Sequence, residues 1–321
     1  MAAVNRRTFF GVTAAGLAMA SLDAPRREAS GSESLGKRRF KMALSCGSIG
    51  VSAGQREAIE LAHQFGFEAV EPYPDFLARL SDAELEQLLG ELRGKHLVWA
   101  AAGLPVQFRG DEAAFKEGIK RLPAFARALQ RAGASRMGTW ISPSHGSLTY
   151  VANFRQHARR LREVCKVLAD HGQRLGLEYV GPKTSWTASR FPFIHTMAEM
   201  KDLIAEIGQS NAGFVLDSWH WYTAGESKAD LLALRGSDVV ACDLNDAPAG
   251  IPVDQQIDSR RELPCATGVI DLKTFLGALV KIGFDGPIRP EPFNRALTKL
   301  SRHEALAATA AAMKKAFALA E

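Results

Sequence analysis

Four carboxylate side chains each end a short apolar stretch in the second half of the sequence. They are Glu178 after Leu177, Asp217 after Phe214-Val215-Leu216, Asp243 after Val239-Val240-Ala241-Cys242, and Glu291 after Ile288-Arg289-Pro290. Each stretch predicts a short buried strand, and ionised carboxylates at buried strand ends are unstable unless something pairs them. Several carboxylates on one rim also repel one another, whereas a divalent cation bound by all of them removes the repulsion. We therefore expect these four residues to form one metal site.

The donor atoms indicate which ion would bind. Four carboxylates present only oxygen, which favours Mg²⁺ or Mn²⁺. His220 lies three residues after Asp217 and could be a ligand, a packed residue or a substrate hydrogen-bond partner, the role that we favour. As a ligand, it would favour Zn²⁺ or Co²⁺. The alternative for Glu178 is a helix cap or a surface ion pair, and the alternative for Asp217 is a cap of the next helix.

A long polar stretch, residues 247–268, follows the third of these strands. Loops of this length are usually functional lids or disordered segments. Closure of a lid would bring Arg261 to a substrate, and the alternative is a solvated insertion. Asp246, at the start of the loop, could form a local Asx turn. His145 and Trp186 lie in other loops near the same rim, where they could contact a sugar or pack in the core.

The elements that must position these groups alternate between strand and helix patterns from Phe40 onward. Eight such units within about 280 residues predict a parallel sheet closed into a single (β/α)₈ TIM barrel, residues 39–321. An open sheet is the alternative, but the first turn, residues 46–50, lacks the G-x-G-x-x-G spacing of nucleotide-binding sheets. Catalytic groups of such barrels lie at the carboxyl ends of strands, and the four carboxylates follow predicted strands five to eight.

Residues 1–24 have the pattern of an export signal. The pair Arg6-Arg7 precedes an apolar run of small residues from 11 to 22, which predicts a secretory signal of the twin-arginine type. The run is too short to remain as a membrane anchor, and residues 25–38 have the composition of a disordered spacer. We therefore expect a periplasmic or secreted protein. The alternative is a frayed N-terminal helix with an incidental arginine pair.

Charge and cysteine content argue against some classes of function. The chain of 321 residues has a formal net charge of +5, and residues 39–321 hold 34 basic and 32 acidic residues. No basic stripe with interleaved aromatics is present in the sequence, so a nucleic-acid partner is not expected. The four cysteines match no zinc-binding spacing. Cys242 is expected to be a buried thiol, and a disulfide bridge between Cys242 and Cys265 is the alternative. Whether the protein forms a homo-oligomer also stays open.

Longer motifs around these residues resemble the xylose isomerase-like TIM-barrel superfamily, the sugar isomerases and epimerases. The resemblance covers the region from 40 to 320, and its motifs lie at residues 66–71, 177–178, 216–220, 244–250, 262–271, 284–287 and 291–293. In that family a Glu, an Asp, a His and a Glu bind one divalent metal. The resemblance implies the same role for Glu178, Asp217, Asp243 and Glu291. Asp243 departs from the family, which usually has His there, and this leaves the identity of the metal open.

The resemblance also implies a reaction. In the family's epimerases the two glutamates move a proton through an enediolate that the metal stabilises, so Glu178 and Glu291 would be the catalytic acid and base. The histidine that follows the family's Asp matches His220, and the substrate would be a small sugar or keto-sugar. Dehydratases and lyases that act on keto-sugars or inososes are the enzymatic alternative. From another class, a non-catalytic periplasmic sugar-binding barrel stays open because of Asp243.

Overall fold

The structure, a computed structural model, describes residues 37–320. The predicted signal peptide, residues 1–24, and residues 25–36 of the predicted spacer lie outside the described residues. At the start of the described part, Arg38 donates hydrogen bonds to both carboxylate oxygens of Glu68, at 2.9 and 3.2 Å. Within residues 37–320, no helix combines the length and the apolar character that a membrane span requires.

Parallel strands of the described residues form one nine-stranded, curled sheet. The strands in chain order are β1 (Lys41–Leu44), β2 (Ala69–Val70), β3 (Val98–Trp99), β4 (Ala102–Gly103), β5 (Arg136–Trp140), β6 (Ser144–His145), β7 (Arg174–Glu178), β8 (Phe191–Pro192), β9 (Ala212–Asp217), β10 (Val239–Leu244) and β11 (Pro287–Pro290). β6 and β8 form a separate antiparallel pair. The sheet order is β3-β2-β1-β11-β10-β9-β7-β5-β4, so its two edges are β3 and β4.

The two edge strands are successive parts of one segment, and this closes the barrel. β3 pairs with β2, and β4 pairs with β5. The segment therefore completes eight strand positions, which confirms the predicted (β/α)₈ barrel. The sequence predicts one uninterrupted strand at Leu97–Ala101. The structure has β3 within that range and begins β4 at Ala102, just beyond it, because the segment changes its hydrogen-bonding partner from β2 to β5 between them.

Helices fill the connections between the strands. They are α1 (Gln55–Phe65), α2 (Pro74–Leu77), α3 (Asp82–Gly94), α4 (Glu112–Arg131), α5 (Tyr150–Ala169), α6 (Lys183–Trp186), α7 (Met197–Ile207), α8 (Ser218–Thr223), α9 (Lys228–Leu232), α10 (Leu272–Lys281) and α11 (Arg302–Phe317). Helix α3 begins with the predicted capping box, in which Ser81 and Glu84 exchange hydrogen bonds. Helix α1 ends at Gly66, whose φ of 75° is the left-handed conformation that glycine adopts without strain.

Small residues and the register of the strands place the site residues at the same height in the barrel. A Cβ atom on Gly176 would lie 2.7 Å from Val215 Cγ2, so glycine at this position of β7 leaves room for the Val215 side chain of β9. Asp217 on β9 stands opposite Asp243 on β10, and Asp243 stands opposite Arg289 on β11. Because parallel strands end at the same side of the barrel, their terminal side chains meet there.

Candidate active site

The four carboxylates that the sequence singles out converge in the structure. Glu178 ends β7, Asp217 ends β9, Asp243 lies in β10, and Glu291 directly follows β11. One oxygen from each lies within 4.8 Å of the oxygens of the other three. Asp217 and Asp243 are each 1% exposed, and Glu178 is 7% exposed. The predicted cluster therefore exists, and whether its members bind a metal stays a prediction.

Asp217 has two roles at once. Its Oδ1 accepts a hydrogen bond of 2.7 Å from the backbone N–H of Trp219, so it caps α8 as the alternative interpretation states. Both of its oxygens also accept from Nδ2 of Asn245, at 3.0 and 3.2 Å. The cap and the amide hold the carboxylate in one orientation, with Oδ2 still directed at the other acidic groups.

Arg261 reaches the cluster from the 247–268 loop. Its Nη1 donates to Asp217 Oδ2 at 2.7 Å and to Glu291 Oε2 at 3.2 Å, while Nη2 donates to Asp258 at 2.8 Å. The side chain is 1% exposed. Burial alone would lower the pKa of Arg261, but the carboxylates of Asp217, Asp258 and Glu291 raise it above the usual value. The loop brings Arg261 to the predicted site, where it contacts acidic residues.

Arg289 is a functional residue that the sequence analysis missed. Its Nε and Nη2 donate to the two oxygens of Asp243 at 2.7 and 3.0 Å, and Nη2 also donates to Glu291 Oε1 at 3.0 Å. A signal was available, because side chains two apart along a strand point to the same face. Since Glu291 was expected to face the site, Arg289 should have been expected beside it. By the same rule, Asn245, two residues after Asp243, should have been expected to face the site.

Burial shifts the proton affinity of the two glutamates. Desolvation raises the pKa of Glu178 well above its ordinary value, and the negative charges of Glu291, Asp243 and Asp217 add to the shift. Burial likewise raises the pKa of Glu291 to about 7. Glu178 Oε1 is buried without a hydrogen-bond partner. Burial therefore favours the protonated form of Glu178, and Glu291 can gain or lose a proton near neutral pH.

His220 is a buried, neutral imidazole beside the acidic cluster. Burial lowers its pKa to about 3, and the Arg261 charge acts in the same direction. Its Nδ1 accepts a hydrogen bond of 3.2 Å from the backbone N–H of Gly181, and its Nε2 lies 3.3 Å from Arg261 Nη2, which can only donate. Nε2 lies 3.9 Å from Glu178 Oε1 and 3.8 Å from Asp217 Oδ2. Because His220 also groups with these two carboxylates, an alternative ligand set that includes it stays open.

A cavity of about 1040 Å³ opens at this end of the barrel. The site residues that line it are Glu178, His220, Asp243, Asp258, Arg261, Arg289 and Glu291. Two predicted substrate-binding residues, His145 and Trp186, do not line the cavity. His145 accepts hydrogen bonds from the backbone N–H groups of Ser147 and Leu148, and Trp186 stacks on His195 at 4.7 Å. These neighbours engage both rings, so nothing in this arrangement supports the two substrate roles.

Asp246 holds both ends of the 247–268 loop. Its side chain accepts four backbone hydrogen bonds, from Ala247, Thr267, Gly268 and Ile270. Its own backbone exchanges two hydrogen bonds of 2.9 Å with that of Glu262, the residue after Arg261. The sequence predicts a local Asx turn, whereas the structure extends these contacts across the whole loop. The effect is to fix Arg261 next to the end of β10.

The chemistry of the donor set fits a divalent cation. Opposite ligands of an octahedral Mg²⁺ lie about 4.2 Å apart, which agrees with oxygens within 4.8 Å of one another. Two guanidinium groups contact three of the four carboxylates, Asp217, Asp243 and Glu291. With all four ionised, two negative charges would remain before Asp258 is counted. The unpaired Glu178 Oε1 is a buried acceptor that a cation would satisfy. A metal bound by all four residues would also have to take over oxygens that Arg261 now contacts.

Comparison with known proteins identifies the family of the chain. Residues 59–316 match the model of the family described as xylose isomerase-like TIM barrel. Inosose isomerase of Bacillus velezensis is 23% identical over 258 residues, which cover 78% of this chain and 88% of that protein.

Two solved structures have the same fold. A xylose isomerase domain protein from Alicyclobacillus acidocaldarius is 30% identical, with a TM-score of 0.77, and the match covers 88% of this chain and 99% of that one. The IOLI protein, solved with a bound zinc atom, is 20% identical with a TM-score of 0.71, over 86% of this chain and 98% of that one. The chain therefore belongs to the xylose isomerase-like TIM barrel family.

Proposed function

We propose that the chain is a divalent-metal-dependent isomerase or epimerase that acts on small sugars or cyclic keto-polyols. Family membership and the similarity to an inosose isomerase support an enzyme of the isomerase or epimerase type. The observation that carries the proposal is the convergence of four carboxylates, with Glu178 Oε1 buried and unpaired, in a cavity large enough for such a substrate.

Four side chains would hold the ion: Glu178, Asp217, Asp243 and Glu291. A bound ion would supply Lewis acidity and would stabilise negative charge on substrate oxygens. The oxygen ligands favour Mg²⁺ or Mn²⁺, and the zinc in the IOLI protein together with the position of His220 keeps Zn²⁺ and Co²⁺ open.

The two glutamates would move the proton. Glu178, whose pKa burial raises, would bind the ion through Oε1 and hold a proton on its other carboxylate oxygen for transfer to a substrate carbon. Glu291, with a pKa of about 7, can accept a proton from a neighbouring carbon or from the opposite face of the same carbon. Arg261 and Arg289 hold Glu291 in place through its two oxygens. His220 lines the cavity beside these groups, where it would contact a substrate oxygen.

The test is turnover measured by proton NMR in deuterated water. Inosose and a panel of ketohexoses are each incubated with the protein and with Mg²⁺, Mn²⁺, Co²⁺ or Zn²⁺. We expect isomerised product that carries deuterium, and we expect Glu178→Gln and Glu291→Gln each to lower the rate by about 100-fold or more. Glu226→Gln is the matched control, since Glu226 is a glutamate of raised pKa that does not line the cavity.

The same assay distinguishes the alternatives. Loss of water from the substrate without an isomer would establish a dehydratase or lyase on the same site. Sugar binding without deuterium exchange in any metal would favour the non-catalytic binding barrel. Elemental analysis of the purified protein gives an independent check, because about one divalent ion for each chain should be bound and lost in Glu291→Gln. Full activity in either glutamine variant would remove that residue from the acid–base pair.

We also propose that the chain is exported by the twin-arginine route, which the Arg6-Arg7 pair ahead of the apolar run supports. Replacing both arginines with lysine in the full chain should retain the protein in the cytoplasm. Recovery of this variant from the periplasm at the wild-type level would contradict the proposal.

A further inference from the structure

A third arginine lines the cavity, and it lies outside the acidic cluster. Arg109 follows β4, and its Nη2 donates to Thr139 Oγ1 on β5 at 3.1 Å. Its guanidinium carbon lies 4.4 Å from the centre of the Phe108 ring and 4.1 Å from the centre of the Trp140 ring. These contacts hold the flat group in a defined orientation, because guanidinium groups stack favourably on aromatic rings.

Arg109 differs from the other two arginines of the cavity in having no counter-ion. Arg261 and Arg289 each contact at least two carboxylates. Among residues 37–320, no carboxylate pairs with Arg109, and its buried Nε has no hydrogen-bond partner. Burial alone lowers the pKa of Arg109 to about 10, so the group keeps its charge at neutral pH. A partly buried cation without a partner is unfavourable unless a ligand supplies the negative charge.

The surroundings of Arg109 favour one kind of anion. The residues that contact Arg109 are neutral: Thr139 and the rings of Phe108 and Trp140. A single guanidinium presents a planar pair of donors that matches a carboxylate, and no second cation is present in this part of the wall for a phosphate. The cavity volume of about 1040 Å³ is at the upper limit for pockets that bury drug-sized ligands, so it has room for a substituted ring.

We propose that Arg109 binds a carboxylate substituent of the substrate, and that the substrate is therefore an acidic sugar or a cyclic polyol acid. This inference rests on the proposed function, which places the reacting carbons at Glu178 and Glu291. The carboxylate would lie against Arg109 beside Trp140, while the reacting part of the ring lies at the acidic cluster. Arg109 then selects the substrate and takes no part in proton transfer.

The test measures binding by calorimetry and needs no turnover. The ligands are two acids and their neutral amides: D-glucuronate with D-glucuronamide, and quinate with its carboxamide. A third pair, D-glucose 6-phosphate and D-glucose, tests whether the protein prefers a phosphate. The proteins are the wild type, Arg109→Gln, Arg109→Lys and the matched control Arg121→Gln, in which an exposed arginine that contacts Phe125 on α4 is changed in the same way. Circular dichroism and melting temperature check that each variant is folded.

We expect at least one acid to bind the wild type about tenfold or more tightly than its amide, as a charge-assisted hydrogen bond predicts. Arg109→Gln should abolish the preference, Arg109→Lys should keep part of it, and Arg121→Gln should keep all of it. Equal binding of acid and amide, a preference for phosphate, an unchanged preference in Arg109→Gln, or no acid binding at millimolar concentration would overturn the proposal. Because the assay measures binding and not turnover, failure of the proposed catalytic function would leave this result intact.

Discussion

Both oxygens of Asp243 accept hydrogen bonds from a single side chain, that of Arg289. Asp243 is almost fully buried, whereas the Arg289 side chain is 33% exposed and borders the cavity. Removing one partner of a buried pair leaves the other charge uncompensated. Arg289 therefore neutralises part of the charge that a metal ion would otherwise have to neutralise alone, and it does so next to the residue that departs from the family pattern.

Replacing Arg289 should make the protein depend more strongly on a metal. We expect Arg289→Gln without added metal to be less stable than the wild type by about 3 kcal/mol, because Asp243 loses its partner. Mn²⁺ should then raise the melting temperature of the variant by more than it raises that of the wild type. Thermal unfolding with and without Mn²⁺ measures both effects.

Arg121→Gln is the control for that experiment, since it removes the same charge from an exposed position. An equal Mn²⁺ shift in Arg289→Gln and the wild type would show that Arg289 does not share in neutralising the cluster.

Local sequence pattern was enough to find the acidic residues of the site. Glu178, Asp217 and Glu291 each end an apolar stretch, and the rule that parallel strands end together brought them to one place. Arg109 could not be found in this way. Its position depends on contacts with Phe108, Thr139 and Trp140, and the last two belong to a strand about 30 residues away.

The 247–268 loop shows how one element can be divided into a fixed part and a variable part. The side chain of Asp246 binds backbone N–H groups from both ends of the loop, and its backbone pairs with that of Glu262. Residues near Arg261 are therefore held close to β10. Ile251, Val253 and Ile257, in the outer part, are exposed.

Loosening Asp246 should release the loop without unfolding the barrel. Asp246→Asn replaces one accepting oxygen by a donor, and buried N–H groups then lose their acceptor. We expect a loss of stability of about 1–3 kcal/mol and faster proteolytic cleavage between residues 247 and 261. Asp254→Asn, at an exposed position that pairs loosely with Lys183 at 3.6 Å, should leave both quantities unchanged. Equal cleavage rates in the two variants would show that Asp246 does not hold the loop.

The order of elements was predictable, whereas some of their internal breaks were not. Alternating strand and helix patterns gave the eight units, because each pattern is local to its own segment. The break between β3, which lies within the predicted strand Leu97–Ala101, and β4, which follows it, depends on hydrogen bonds to β2 and β5, which lie far away along the chain. The same holds for the pairing of β6 with β8, since two-residue strands have no pattern of their own.

Buried carboxylates make the stability of the whole molecule depend on pH. Glu226 offers a case outside the cavity, where it accepts hydrogen bonds from the hydroxyl of Tyr179 and the backbone N–H of Met197. Burial raises the pKa of Glu226 from 4.5 to about 7. Between these two values the folded protein keeps a proton that the unfolded chain has released. The contribution of Glu226 to the free energy of unfolding is therefore fully present below pH 4.5 and falls as the pH rises toward 7.

Replacing Glu226 by glutamine should remove this share of the pH dependence. We expect the wild type to lose stability on the order of 1–3 kcal/mol more than Glu226→Gln between pH 4.5 and pH 8. Urea unfolding at a series of pH values measures the difference. Parallel curves for the two proteins would show that Glu226 has an ordinary pKa in the folded state.

The tethered ends of the 247–268 loop also bear on how the family can diversify. Since Asp246 and Glu262 fix the base of the loop, insertions or deletions in the exposed residues 252–255 need not move Arg261 or the end of β10. New contacts with a substrate can therefore arise there while the barrel and its acidic cluster stay the same. For a protein engineer, this segment is the natural place to graft a different specificity, by exchange with the corresponding segment of a relative.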